Sequence, residues 1–181
     1  MHTNKMKTDL KFNVAQLLRE EIGAQRSYSF TEPQIQLDAE FVLQHVTGKT
    51  KFTRTISGVL VDATVSGSVE MACMRCLKPA TQHISMHIWD EFHSQIEVNT
   101  GTPLPKPDEE DPFFIDELHM LNLEEAIREY ALLELPMRPL CAEDCKGLCP
   151  HCGADRNTET CLCEEVQGDE RFAALRSLLS N

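Results

Sequence analysis

A chain of 181 residues with 41% hydrophobic and 25% charged side chains has ordinary globular composition, enough for one substantial domain or one with a small appendage. Seventeen basic against 29 acidic residues leave a net charge of −12, which removes any global attraction to phosphate backbones. Nucleic-acid binding would therefore need a local basic patch or a basic protein partner. The polar opening Met1-His-Thr-Asn-Lys predicts no signal peptide, and no apolar run approaches the roughly 20 residues that span a bilayer. The expected compartment is a reducing cytoplasm, where eight cysteines are more readily metal ligands than disulfides.

In chain order, residues 9–22 predict a short strand and then an amphipathic helix, with Phe12, Val14, Leu17, Leu18 and Ile22 as its apolar members. From Ile35 to Ile96 the period changes to two. Leu37, Ala39, Phe41 and Leu43 alternate with polar neighbours. Val59, Val61, Ala63, Val65, Val69 and Met71 do so more strictly, and Ile84, Met86 and Ile88 repeat the pattern. This predicts a half-buried antiparallel meander, with Cys73-Met-Arg-Cys76 at the turn between its last two strands and Gly58 and Gly67 at bends or bulges.

Residues 99–112 combine four prolines with the acidic run Asp108-Glu-Glu-Asp111 and read as a solvated loop, with a binding site for a basic partner as the sharper alternative. Phe113–Leu118 reads as another short strand. Asn122 then caps a helix over 123–135, where Leu123, Ala126, Ile127, Tyr130 and Leu133 share a stripe and Glu124 supports Arg128. Pro136 ends it. A last helix is predicted over 169–179. The fold class is therefore α+β: an antiparallel β-meander with flanking helices and a cysteine-rich, zinc-knuckle-like C-terminal segment. Its organisation is 1–98 for the helix and sheet, 99–112 for the loop and 113–181 for the helix and metal segment, which read as parts of one composite domain.

Six of the eight thiols lie between residues 141 and 163, as Cys141, Cys145, Cys149, Cys152, Cys161 and Cys163; Cys73 and Cys76 form a separate Cys-x-x-Cys. Structural zinc takes four N/S ligands, and thiolates two residues apart reach one tetrahedral ion from a single turn. Cys149, Cys152, Cys161 and Cys163 can supply one local set. Cys73, Cys76, Cys141 and Cys145 then form a second that staples the sheet turn to the C-terminal segment. A competing partition uses Cys145, Cys149, Cys152 and Cys161, leaving Cys73, Cys76, Cys141 and Cys163; the first is favoured because it keeps close pairs together. Filling both sites with zinc would bring the net charge to roughly −16.

His151 should point away from the ion held by its neighbours, and His83 and His87 fall on the outward strand face. Arg75, inside the first Cys-x-x-Cys, either donates to the thiolates or is exposed. A thioredoxin-like role for Cys73 and Cys76 would need a strand-to-helix junction, whereas the flanks read as antiparallel strands. All-thiolate zinc sets are typically closed, and no phosphate loop, nucleophile elbow or His-Glu-x-x-His occurs. The expectation is a protein that is not an enzyme.

The segment Leu135-Pro-Met-Arg-Pro-Leu-Cys141-Ala-Glu-Asp-Cys145-Lys-Gly-Leu-Cys149-Pro-His-Cys152-Gly, with Asn157, Cys161-x-Cys163 and the tail Asp169-x-Arg-Phe-Ala-Ala-Leu, resembles the YceD family. Cys73-Met-Arg-Cys76-Leu fits the same pattern. The resemblance implies a role in accumulation of 23S ribosomal RNA and assembly of the large ribosomal subunit, with ribosomal RNA, ribosomal proteins or pre-50S particles as partners. It carries over no catalytic residue. An acidic assembly factor could chaperone basic ribosomal proteins through its negative surface; alternatively Lys5, Lys7 and Lys11, or Lys49, Lys51 and Arg54, could meet RNA phosphates. Two further readings stay open: a zinc-stapled interaction adaptor without ribosomal role, and a thiol redox protein.

Overall fold

The computed structural model describes residues 10–107 and 113–163. Its sheet has seven strands: β1 (Lys11–Asn13), β2 (Gln25–Gln36), β3 (Val42–Arg54), β4 (Gly58–Ala72), β5 (Pro79–Ser94), β6 (Phe113–Ile115) and β7 (Met120–Asn122). Two helices accompany it, α1 (Ala15–Arg19) and α2 (Leu123–Glu134). The strand order is β1-β7-β6-β5-β4-β3-β2.

The four long strands β2 to β5 form the expected meander, each antiparallel to the next. Its alternation is the physical reason: Val59, Val61, Ala63 and Val65 on β4 and Met86 and Ile88 on β5 are buried, while Thr64, Ser66, Ser85 and His87 between them face out. Burying a side chain such as Val61 or Ile88 stabilises by about 1.5–3 kcal/mol, whereas an exposed ion pair such as Lys51–Asp62 adds about 0–1 kcal/mol. The inner face, not the charges, holds the sheet.

The sheet is nevertheless mixed rather than an antiparallel meander throughout, because β6 runs parallel to β5. A parallel neighbour requires a crossover of about a dozen residues or more, and the Pro-rich stretch read as a plain loop forms part of that connection. The sheet also curls until its two ends meet. Phe12 on β1 lies 5.0 Å, centroid to centroid, from Tyr28 on β2 and 5.2 Å from Phe52, although β1 and β2 end opposite sides of the strand order.

Several elements differ from the sequence expectation. The strand β2 begins at Gln25, ten residues before the alternation becomes legible, because its inward positions are Tyr28, Phe30 and the buried Glu32 rather than aliphatics. Pro33 interrupts its pattern without breaking the sheet, as β2 is a terminal strand in the order. The helix expected within 9–22 is one short turn, Ala15–Arg19, and Ile22 is exposed. On α2, capped by Asn122 Oδ1 accepting from Glu124 N at 3.1 Å, Leu123, Ala126, Ile127 and Ala131 are buried but Leu133 is exposed. Gly67 does sit opposite a register shift between Gln44 and Thr47, where a Cβ would lie 2.8 Å from Leu43 Cδ1. Gly58 is no bulge; it opens β4 where a Cβ would strike the Phe92 carbonyl. The helix expected over 169–179 lies outside the described residues.

Candidate metal centres

The tight turn joining Ala72 of β4 to Pro79 of β5 carries Cys73 and Cys76. Its form is set by two backbone bonds, Cys73 N to Lys78 O and Leu77 N to Cys73 O, both 2.9 Å. The segment after α2 is docked on it and on the start of β5 by two main-chain bonds and one side-chain bond. Met74 N donates to Pro139 O, Leu148 N donates to Arg75 O, both 2.9 Å, and Gln82 Nε2 donates to Leu140 O at 3.0 Å. These contacts bring Cys141 and Cys145 to the turn. The thiols of Cys73, Cys76, Cys141 and Cys145 lie within 4.8 Å of one another, with Cys73–Cys145 at 3.9 Å and Cys76–Cys141 at 3.6 Å. Cys73, Cys76 and Cys145 are buried, and Cys141 is exposed.

The second set is local. Cys149 N donates to Ala154 O at 2.8 Å and Gly153 N to Cys149 O at 2.9 Å, the same pair of bonds as in the first turn. Cys161 and Cys163 fold back on it, and the four thiols of Cys149, Cys152, Cys161 and Cys163 again lie within 4.8 Å of one another. The Cys152–Cys161 and Cys161–Cys149 sulphurs are 3.5 and 3.3 Å apart. The structure thus gathers the thiols in the local-plus-staple partition and not in the crossed one.

Both sets fit a four-coordinate soft cation. With metal–sulphur bonds of about 2.3 Å, the edges of a tetrahedron are about 3.8 Å, close to the spacings here. The environment also favours thiolate at one corner of each set. Backbone N–H groups, first that of Cys76 and then those of Cys141 and Arg75, hold the Cys73 thiol down to about 6 despite desolvation. Those of Cys152 and His151 do the same for Cys149, to about 6. At the opposite corners the thiols of Cys145 and Cys76 push Cys141 up to about 12, and those of Cys161 and Cys152 push Cys163 up to about 12. Four sulphurs this close cannot all ionise by themselves; a divalent cation is what would let them.

Residues around the thiols lock the two sets together. The Arg75 guanidinium is directed to carbonyls rather than to sulphur: its Nη1 donates to the Cys145 and Glu143 carbonyls, at 2.8 and 3.2 Å. Asn157, within the second loop, donates from Nδ2 to Cys145 Sγ of the first set at 3.4 Å and accepts from Lys146 N at 2.7 Å. Asp155 Oδ2 lies 2.5 Å from Nζ of Lys78, the last residue of the first turn. Sequence reasoning singled out Asn157 only within the family resemblance and missed its role, and that of Asp155 and Lys78, as supports; the signal for Asp155 and Asn157 was a polar cluster inside the eight-residue spacer between Cys152 and Cys161. Of the candidate phosphate contacts, Lys5 and Lys7 lie outside the described residues; so does the acidic 108–111 run, the alternative site for a basic partner. Arg54 is not available for RNA, since its guanidinium donates to the Leu18, Thr55 and Gly58 carbonyls. Lys49 and Lys51 do face outward on β3. Among the described residues no helix is long and apolar enough to cross a membrane.

Three relatives illustrate the chain's likeness to known proteins. An uncharacterized protein of Mycobacterium tuberculosis is 34% identical over 122 residues, covering 67% of this chain and 56% of that protein. A Zea mays protein named large ribosomal RNA subunit accumulation protein YCED homolog 1, chloroplastic, is 28% identical over 141 residues, covering 64% of this chain and 48% of that protein. Its namesake from Arabidopsis thaliana is 31% identical over 65 residues, 36% of this chain and 20% of that one. This chain thus spans about half the length of the first two. No solved structure matches it. The family described as large ribosomal RNA subunit accumulation protein YceD matches residues 61–179, a stretch holding all eight cysteines, and the chain belongs to the YceD family.

Proposed function

We propose that this protein is a non-enzymatic factor for accumulation of 23S ribosomal RNA, acting in the cytoplasm during assembly of the large ribosomal subunit. The observation that carries this reading is the family match over residues 61–179, together with the names of the plant relatives. Both thiol sets would hold zinc as structural ions. Four thiolates close the coordination shell, leaving no position at which a metal-bound water could react. The ion at Cys73, Cys76, Cys141 and Cys145 would fix the C-terminal segment against the sheet, so that one rigid surface meets the partner. That partner is large-subunit ribosomal RNA, a ribosomal protein or a pre-50S particle. A net charge of −12 favours the protein or the particle over naked RNA in bulk.

The competing readings make different demands. A redox pair at Cys73 and Cys76 would need one exposed, reactive sulphur, whereas both are buried at a turn between antiparallel strands. An adaptor without ribosomal role would keep the zinc and lose the particle. Sucrose-gradient sedimentation of lysate carrying the tagged, full-length protein separates them. The expected result is co-sedimentation with pre-50S particles and a fall in the ratio of 23S to 16S RNA on depletion. Migration only at the top of the gradient, with an unchanged ratio, would remove the ribosomal reading.

A further inference from the structure

The middle rows of the outer face of the β2–β5 meander, between Glu91 at one end and Glu70 at the other, carry little of this chain's negative charge. Strand register lays its side chains out in rows. One row crosses Ser27, Lys51, Asp62 and Trp89; the next crosses Ser29, Lys49, Thr64 and His87. The row after that carries hydroxyl groups only. In these three rows Asp62 is the lone carboxylate, and it is already matched by Lys51 at 3.2 Å and His87 at 2.9 Å. Lys49 makes no ion pair among the described residues. Two shallow hollows, of about 350 and 410 Å³, open on this face, the first beside Lys49 and Lys51 and the second beside His45 and His83.

Trp89 is the chain's single tryptophan and is 57% exposed on this face, with the His87 ring 6.2 Å away. By contrast Phe12 packs inward against Phe30 and Phe52, and Phe92 against Phe113. A lone exposed aromatic is unremarkable by itself. Here it sits beside Lys49 and the Asp62-paired Lys51, among hydroxyl donors, in rows whose one carboxylate is matched. Charge complementarity selects a partner bearing phosphates, and the open indole selects one with unpaired bases, since paired bases are hidden inside a duplex.

We infer that this face binds single-stranded RNA, one base stacking on the Trp89 indole while Lys49 and Lys51 meet phosphates along the same strand. Trp89 and Lys51 stand on strands two apart, about 10 Å, a distance short enough for neighbouring nucleotides to bridge. The inference deepens the ribosomal reading above by naming the surface and the chemistry of its partner. It also accounts for a chain of −12 meeting RNA at all: the contact is local and engages about two phosphates, so the logarithm of affinity should fall with the logarithm of salt at a slope of about −1.4.

The single tryptophan provides the readout. Zinc-loaded full-length protein is titrated with single-stranded 12-nucleotide oligouridylate and oligoadenylate, and with an RNA duplex. Stacking should quench the indole emission with the single strands and leave it unchanged with the duplex. With fluorescein-labelled oligonucleotide, W89A should bind about tenfold more weakly, W89F less so, and the K49A/K51A pair should flatten the salt slope toward zero. Unquenched emission, or W89A binding the RNA as the parent does, overturns the inference. So does loss of pre-50S co-sedimentation in W89A while the oligonucleotides leave the emission unchanged, because the face would then take a protein. Quenching by single strands in a protein that never sediments with pre-50S particles upholds the face and removes the ribosomal role.

Discussion

Leu77 occupies the same place in the first cysteine turn that Gly153 occupies in the second. Each follows the second cysteine of a Cys-x-x-Cys, and each N–H closes back on the carbonyl of the first cysteine at 2.9 Å. Each has a left-handed backbone, with φ of 61° at Leu77 and 74° at Gly153. A glycine takes that conformation freely, whereas an L-residue with a Cβ loses about 1–2 kcal/mol there. Leu77 gains little in return, since its side chain is exposed.

Leu77→Gly should therefore stabilise the protein. Relief of the left-handed strain is offset by about 0.5–1 kcal/mol from the greater freedom of glycine in the unfolded chain, leaving a net gain of about 0.5–1 kcal/mol. Gly153→Val should destabilise, because a β-branched residue fits this region poorly. Urea unfolding of the zinc-loaded proteins measures both. A lowered midpoint for Leu77→Gly would mean that the exposed leucine contributes packing missing from this account.

The two thiol sets should hold one zinc each but differ in reach. Elemental analysis of protein purified without added metal should give close to two zinc ions per chain. Cys152→Ser should bind one fewer ion and loosen chiefly the 146–163 loop, because Cys149, Cys152, Cys161 and Cys163 all lie within it. Cys76→Ser should also lose one ion, but it joins Cys73 to Cys145 across 72 residues and should expose amides on both sides of the staple. Hydrogen exchange reads the footprint. Identical footprints for the two variants, or a folded metal-free protein with eight titratable thiols, would refute the assignment.

Arg54 looked from the sequence like a partner of Lys49 and Lys51 in a basic cluster, and the structure gives it a different task. Its Nε donates to Leu18 O at 3.2 Å and its Nη1 to Gly58 O at 3.0 Å and to Thr55 O, tying α1 to the β3–β4 turn. Losing hydrogen bonds from a charged donor to partly buried carbonyls costs about 1.5–3 kcal/mol. Arg54→Ala should lower unfolding stability by that order. Lys49→Ala should leave it within about 0.5 kcal/mol, as expected of a surface substitution. Comparable losses for both would show that Lys49 carries a structural role too.

The contrast shows what the chain discloses before folding. Period-two alternation on Val59–Met71 and Ile84–Ile88 specifies those strands, because burial on one face demands it. Close cysteine pairs likewise specify the two thiol sets, since few turns place sulphurs otherwise. Tyr28 and Phe30 gave no such signal, as they pack on Phe12 of β1, which arrives from the far end of the curled sheet. The parallel pairing of Phe92 with Phe113 was equally hidden. It is set by where a Pro-rich crossover returns the chain, which no local period records. Arg54, Asn157 and Asp155 are long-range or turn-specific hydrogen-bonding roles, and a polar residue in a sequence carries no mark of its partner.

The last expectation concerns acid. Asp155 is 9% exposed, and its carboxyl is held at about 2, first by the Lys78 ammonium 2.5 Å away and then by the Asn157 N–H groups. In an unfolded chain the same group ionises near 3.8. A carboxyl whose folded pKa lies below its unfolded one stabilises the fold above the unfolded value, and that contribution disappears as pH falls toward the folded one. The difference in urea midpoint between the parent and Asp155→Asn should accordingly be constant from pH 7 to pH 5 and shrink from about pH 4 downward. Protonation of the thiolates also weakens metal binding in acid, but it acts on both proteins and largely cancels in the difference. Lys78→Met should reduce the effect of Asp155→Asn in a double-mutant cycle, since the two side chains act as a pair. A difference that grows as pH falls, or one untouched by Lys78→Met, would show that Asp155 holds the loop by some other contact.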